Sequence, residues 1–160
     1  MPGHKRRIWF VVTDGAHVNF FSLNPTGTAL IRVDVPTLSA ADVRVPARDL
    51  KSDRPGRSIG SGPGSTRHAI EPHHDYHKLE KHKFTVGVAE VLDKACAADE
   101  FDQVVLVAPK RSLGELRTVI SDRVQARIVD ELAKSLTKLP ADSLWQHVAP
   151  IADRLRRAAA

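Results

Sequence analysis

The segment IWFVVTDG, residues 8–15, decides how this 160-residue chain begins to fold. Its first part, Ile8–Thr13, is an uninterrupted apolar run rich in β-formers, which is the pattern of a buried strand. Asp14-Gly15 follows at once, and this dipeptide favours a tight turn. The segment therefore predicts a buried strand that reverses direction into the residues after it.

Two more strands are predicted directly after this turn. Val18, Phe20 and Leu23 are separated by polar residues, and Ala29–Val35 alternates well enough to form a third strand. The residues between them, Asn24–Gly27, have turn chemistry. Three consecutive strands joined by tight turns form an antiparallel meander, so we expect the chain to start with one.

The second half of the chain is predicted to alternate helices and strands. Residues 75–98 carry one apolar stripe at helical spacing, and Val104–Ala108 is typical of a buried central strand. Ser112–Glu115 has the pattern of a capping box at the start of a helix, and Pro140 precedes a terminal amphipathic helix. Arg127–Lys134 suits a helix or a strand. Together these elements predict an α/β fold of the α+β type, a mixed sheet with helices packed on it.

The two halves are separated by residues 36–74, which are predicted to form a long loop rich in glycine and proline. One part of it, Ala40–Val45, suits a short strand. A loop of this length inside a compact domain is typically either mobile or functional. We therefore look for the functional residues in this loop and in the helix after it.

The overall composition indicates one globular domain over residues 1–160, with 42% hydrophobic and 27% charged residues. A net charge of +5 and a sequence pI of about 9.7 favour an acidic partner, nucleic acid before an anionic surface. Cys96 is the only cysteine, which excludes an intrachain disulfide and a cysteine-based zinc site. The apolar run at residues 8–12 is too short for a signal peptide or a membrane span, so we expect a cytoplasmic protein.

The long loop and the helix after it carry the candidate nucleic-acid contacts. Glycines let successive backbone N–H groups converge on a phosphate, and flanking basic side chains add charge-assisted hydrogen bonds. The nucleotide-binding pattern G-x-x-x-x-G-K-[ST] is absent, and the loop has no aromatic residue on which a base could stack. Recognition of an RNA backbone therefore fits the loop better than reading of bases, and a merely flexible tip stays open as the alternative. The candidate contacts are Arg54, Arg57, Gly60, Gly62, Gly64, Ser65, Arg67, His68, Lys78 and Lys81.

A histidine-rich stretch near the start of the predicted helix raises the alternative of a metal-dependent enzyme or a hydrolase. His73, His74 and His77 are weak metal candidates, because the H-E-x-x-H pattern is absent. Ser61, Ser65 or Thr66 with His68 could be imagined as a nucleophile and base, but no G-x-S-x-G elbow surrounds them. We therefore expect no cofactor, no metal and no catalytic residue.

Several motifs in order along the chain resemble those of the bacterial host attachment protein family. The resemblance covers nearly the whole chain, and the ordered series is more specific than any one motif. Its motifs are Asp14-Gly15-Ala16, the segment Gly60–Ser65, Arg67-His68-Ala69, Glu71-Pro72, Val107-Ala108-Pro109, Leu113–Arg117 and Leu136–Pro140.

That family is in turn similar to the middle domain of archaeal and eukaryotic class 1 peptide release factors, where a strand leads into a Gly-Gly-Gln loop and a long basic helix. The resemblance implies that Arg127–Lys134 is a strand, and that the partner is structured RNA, such as the ribosome or a tRNA-like molecule. This chain has Gly62-Pro63-Gly64-Ser65 in the loop, with no glutamine. Peptide release is therefore not expected. The family name implies a further alternative, a role in host attachment that is indirect or acts through a protein partner.

Overall fold

The structure, a computed structural model, describes residues 6–33 and 63–159, and for residues 63–77 and 159 it describes the backbone alone. It has the predicted α+β fold, a mixed five-stranded sheet with helices packed on it. Along the chain the elements are β1 (Ile8–Thr13), β2 (Val18–Leu23), β3 (Leu30–Arg32), α1 (Pro63–Ala97), β4 (Gln103–Ala108), α2 (Lys110–Val119), α3 (Asp122–Gln125), β5 (Ile128–Ala133) and α4 (Ala141–Ala159).

The sheet has the strand order β3-β2-β1-β4-β5, with the predicted meander on one side and parallel strands on the other. β1 pairs with β2 antiparallel, with Phe10 opposite Phe21, and β2 pairs with β3 antiparallel. On its other side β1 pairs with β4 in parallel, and β4 pairs with β5 in parallel. The carboxyl ends of β1, β4 and β5 therefore meet at one edge of the sheet, which we call the carboxyl edge. The opposite edge is the amino edge.

The apolar run of β1 is continuous because its side chains alternate between two cores. Trp9 and Val11 face the core formed with α1 and α2, whereas Phe10 and Val12 face the core formed with α4. All four side chains are buried, so neither face of the strand meets water. Within the first core, the ring centroid of Trp9 lies 5.0 Å from that of Phe101. A strand covered on both sides needs no polar position.

The long helix α1 packs its C-terminal part on the sheet through the predicted apolar stripe. The stripe is buried, apart from Val91, which is partly exposed. Its members are Phe84, Val88, Ala89, Val91, Leu92 and Ala95.

The start of α1 differs from the prediction, since the helix begins at Pro63 and not at Asp75. The loop predicted for residues 36–74 is therefore wrong over residues 63–74. Proline is favoured at the first position of a helix, and Thr66–Glu71 contains no breaker. Pro72 lies within the helical span, as Pro150 does in α4, so a proline within the sequence does not by itself end a helix here. The suggested strand at Ala40–Val45 lies outside the described residues.

Two other expectations are resolved by the structure. Arg127–Lys134 contains β5, so the strand implied by the resemblance is confirmed. The capping box at Ser112–Glu115 is wrong, because α2 begins two residues earlier at Lys110 and Pro109 occupies its N-cap. Pro109 has the extended conformation usual before a helix, and the strand β4 ends directly before it.

The strand β5 is the last strand of the sheet on one side, and its own side chains occupy part of that border. The Oδ1 atom of Asp130 accepts a hydrogen bond from the backbone N–H of Glu131 at 2.8 Å. Asp130 also forms an ion pair with Arg154 of α4, and Glu131 forms one with Arg117 of α2. Val129 is passed over in the pairing with β4 and is 38% exposed. No helix in the described ranges is long and apolar enough to cross a membrane.

Candidate functional site

The residues predicted to contact nucleic acid do not all lie in a loop, as the sequence had suggested. Gly64, Ser65, Arg67 and His68 lie in the first turns of α1 and not in a loop, because the helix begins at Pro63. Arg54, Arg57, Gly60 and Gly62 lie outside the described residues. The prediction that these residues bind nucleic acid stays a prediction.

The predicted lysines and histidines also lie on α1. Lys78 and Lys81 are exposed. His73, His74 and His77 belong to the same helix, but their side chains lie outside the described part of the chain. Among the side chains that are described, no group of three His, Cys, Asp or Glu residues is placed to hold a metal ion.

The length of α1 exceeds the height of the sheet. Its 35 residues make a helix of about 52 Å, whereas the six residues of β4 span about 20 Å. A short connection joins α1 to β4, so the helix ends at the amino edge, where Asp93 contacts Ser121 and Arg123. The part of α1 before Phe84 therefore extends toward the carboxyl edge and past it. Lys78 and Lys81 lie on this extension.

At the carboxyl edge itself, Asp14 joins two of the loops that follow the parallel strands. Its Oδ1 atom accepts hydrogen bonds from the backbone N–H groups of Ala16, at 2.9 Å, and His17, at 2.8 Å. Its Oδ2 atom accepts one from the Thr137 hydroxyl at 2.6 Å and lies 3.5 Å from Nδ1 of His17. Burial would raise the pKa of Asp14, but the hydrogen bonds from Thr137, Ala16 and His17 outweigh it and lower the pKa. Asp14 is therefore a charged anchor between the β1–β2 turn and the β5–α4 loop.

Further contacts extend this network in both directions along the edge. The Asn19 side chain donates to the carbonyl oxygen of Thr137 at 3.4 Å and accepts from Nη1 of Arg32 at 2.9 Å. Gly15 has a φ of +90°, which suits glycine, and lies against Ser112 at the start of α2. The loops after β1, β4 and β5 consequently form one connected surface.

The β5–α4 loop, residues 134–139, is fixed from inside by apolar side chains. Leu136 is buried and Leu139 packs against the same core. The backbone N–H of Leu139 donates to the carbonyl oxygen of Leu136 at 3.2 Å, and that of Lys134 donates to Leu132 at 3.0 Å. Lys134 and Lys138 are exposed on this loop, on either side of the hydrogen-bonded Thr137.

The charges at the two edges differ in how they are neutralised. At the amino edge, Arg7 pairs with Asp102 at 3.4 Å and Arg123 pairs with Asp93 at 2.8 Å. Hydrogen bonds from Arg123 and Ser121 lower the pKa of Asp93 to about 2, so this carboxylate stays charged.

At the carboxyl edge, by contrast, the lysines have no acidic partner among the described side chains. No described Asp or Glu lies within ion-pair distance of Lys110, Lys134 or Lys138, and all three are exposed. Their neighbour Arg111 pairs with Glu115 at 3.7 Å. Lys78 and Lys81 on α1 likewise have no ion pair with a described residue. These exposed lysines of the carboxyl edge and of the α1 extension therefore have no ion pair among the described side chains.

These features define an α+β domain with a mixed sheet and with exposed lysines at its carboxyl edge. The model of a family described as "Protein required for attachment to host cells" matches residues 9–148. The chain therefore belongs to that family, as the ordered motifs predicted. No curated protein matches the chain. The likeness to release-factor middle domains stays a prediction, because the family match does not address it.

The sequence predictions missed the carboxyl-edge surface around Asp14 and Thr137. Asp14-Gly15 was assigned only to a turn, and Thr137 only to a motif of the resemblance. A signal was present, since ligand sites in open sheets with parallel strands lie beyond the strands' carboxyl ends. A comparison of the residues that follow β1, β4 and β5 would have drawn attention to the polar and basic side chains there.

Proposed function

We propose that this member of the host attachment family is a non-enzymatic, cytoplasmic protein that binds structured RNA, such as ribosomal RNA or a tRNA-like molecule. The observation that carries the proposal is the pair of exposed lysines, Lys78 and Lys81, on the part of α1 that extends past the sheet. Residues three apart lie on the same face of a helix, so one phosphate strand can contact both.

The net charge of +5 supports the same proposal. Lysines that contact phosphates release condensed counterions, which makes RNA binding favourable and strongly dependent on salt. The predicted basic residues of the preceding segment, among them Arg57 and Arg67, would extend this contact. A role in attachment would then be indirect, through the RNA that the protein binds.

The family description favours a second candidate, in which the protein acts in attachment through a protein partner. The two candidates differ in what the lysines of α1 do. An RNA partner requires their charge, and its binding weakens as salt rises.

The test is co-sedimentation of the purified protein with ribosomes from bacteria of its own kind, at low and at moderate salt. The variant Lys78→Ala/Lys81→Ala is compared with the matched control Lys94→Ala/Arg157→Ala. The control removes the same charge, at exposed positions near the amino edge. We expect the α1 variant to lose most of its binding and the control to keep it. Absence of wild-type binding at low salt would overturn the RNA proposal and leave the protein partner.

A further inference from the structure

The carboxyl edge offers a surface that the proposed α1 contact does not use. We infer that residues 134–139, together with Lys110, form a second phosphate-contacting surface for the same RNA. This inference rests on the proposed function and adds to it a second, separate point of contact. We call residues 134–139 the lysine loop.

The lysine loop presents its charges from a fixed backbone. Leu136 is 7% exposed and holds the loop to the core, while the Thr137 hydroxyl donates to Asp14 at 2.6 Å. Lys134 and Lys138 lie on either side of these two anchors and are both exposed. Because the backbone is held before binding, little backbone conformational entropy is lost when the lysines contact phosphates.

The charge surrounding the lysine loop favours an anion. Asp14, the carboxylate that contacts Thr137 of the loop, is 17% exposed and is already hydrogen-bonded by three donors. The Nζ atom of Lys134 lies 3.4 Å from Nδ1 of His147, which is not an acid. Lys110 begins α2, whose Ser112 lies near Gly15, the residue that follows Asp14 in the chain.

The position of the loop relative to α1 favours an extended polyanion over a single small anion. The α1 extension and the lysine loop both lie at the carboxyl edge. They are on opposite faces of the sheet, because α1 packs on one core and α4 on the other. RNA carries phosphates along a continuous strand, so one molecule can contact the exposed lysines of both.

The test is a titration of a fluorescently labelled RNA hairpin, followed by anisotropy over a series of salt concentrations. For Lys134→Ala/Lys138→Ala we expect affinity to fall by about tenfold at low salt. The slope of log K against log salt should lose roughly two units, one for each phosphate contact. The control Lys94→Ala/Arg157→Ala should change affinity by less than about twofold, because its charges lie away from the surface.

A second variant tests the anchoring without changing any charge. Thr137→Val removes the hydroxyl that donates to Asp14, and we expect a loss of affinity of about threefold to fivefold with the salt slope unchanged. Thermal unfolding of the same sample checks that the domain is folded. If the charge simply attracts RNA at long range, Thr137→Val will bind as the wild type does, which would overturn the inference.

The outcomes separate this inference from the proposed function. In one outcome, Lys78→Ala/Lys81→Ala weakens RNA binding and Lys134→Ala/Lys138→Ala has no effect beyond that of the control. This result overturns the second surface and keeps the proposed function. The reverse pattern keeps the lysine loop as a phosphate contact and overturns the assignment to α1. A wild type that does not bind the hairpin overturns both.

Discussion

Asp14 provides the sharpest test of how the carboxyl edge is held together. Its carboxylate accepts from the N–H groups of Ala16 and His17 and from the Thr137 hydroxyl. Replacing it by alanine leaves three donors without this acceptor, in a site where the side chain was 17% exposed. At about 1 kcal/mol for each lost hydrogen bond, Asp14→Ala should lower the free energy of unfolding by about 3 kcal/mol. That is a large part of the roughly 5–15 kcal/mol typical of a domain.

The variant Asp14→Asn separates the hydrogen bonds from the charge. Its amide oxygen can still accept from both backbone N–H groups, so we expect a cost of about 1 kcal/mol at pH 7. The pKa of Asp14 in the folded protein is lower than its ordinary value of 3.8. Its charge therefore contributes stability at every pH above that value, and this contribution is lost as the pH falls through the folded-state pKa. The stability difference between the wild type and Asp14→Asn should narrow below about pH 3.8.

The assay is urea denaturation at a series of pH values, with the midpoint and the slope fitted separately. The control is Glu90→Ala, which removes an exposed carboxylate on α1 and should change stability by less than about 0.5 kcal/mol. Two results would refute the reasoning. One is a cost below about 0.5 kcal/mol for Asp14→Ala, and the other is a difference between wild type and Asp14→Asn that stays constant down to about pH 2.

Two other predictions concern the packing of α4 and the glycines. Leu144 is 1% exposed between α4 and the sheet, so Leu144→Ala should lower the free energy of unfolding, measured by urea denaturation, by about 2–4 kcal/mol. A loss below about 1 kcal/mol would show that this core is loosely packed. Gly27→Ala should destabilise the protein by about 1–2 kcal/mol, because Gly27 has a φ of +71° and a Cβ would come within 2.7 Å of Cδ of Arg156. Gly114 lies in α2 with open space around it, so Gly114→Ala should instead stabilise the protein by about 0.5–1 kcal/mol. The two glycine predictions are contradicted if both variants raise the melting temperature or both lower it.

The sheet could be predicted from the sequence because its strands carry local signals. The uninterrupted apolar run of β1 reflects burial on both faces, and the Asp14-Gly15 turn places β2 beside it. For β5 the sequence did not distinguish a strand from a helix. Its side chains are partly buried without a clean alternation, and the charges of Asp130 and Glu131 are paired with arginines distant in sequence. Pairing with β4, a tertiary effect, decides its conformation.

The start of α1 could not be located because glycine and proline signals were given more weight than the helical residues among them. Pro63 and Pro72 are breakers in the local rules, yet one begins the helix and the other lies within its span. The candidate site was partly predictable, in that Lys78 and Lys81 were expected to lie in the helix after the loop and do so. The carboxyl-edge surface depends on a contact between Asp14 and Thr137, which are far apart in sequence, and no local pattern indicates such a contact.

The carboxylate of Asp130 has a consequence for how molecules of this protein meet each other. A bare sheet border is a template on which a neighbouring chain can continue the hydrogen-bonded ladder, and fibrous deposits grow by this step. Here the N–H of Glu131 is already occupied by a side chain of its own strand, and Arg154 holds that side chain in position. Loss of Asp130 would leave this donor open and remove a negative charge from the border, so an Asp130→Ala protein should precipitate more readily when it is concentrated.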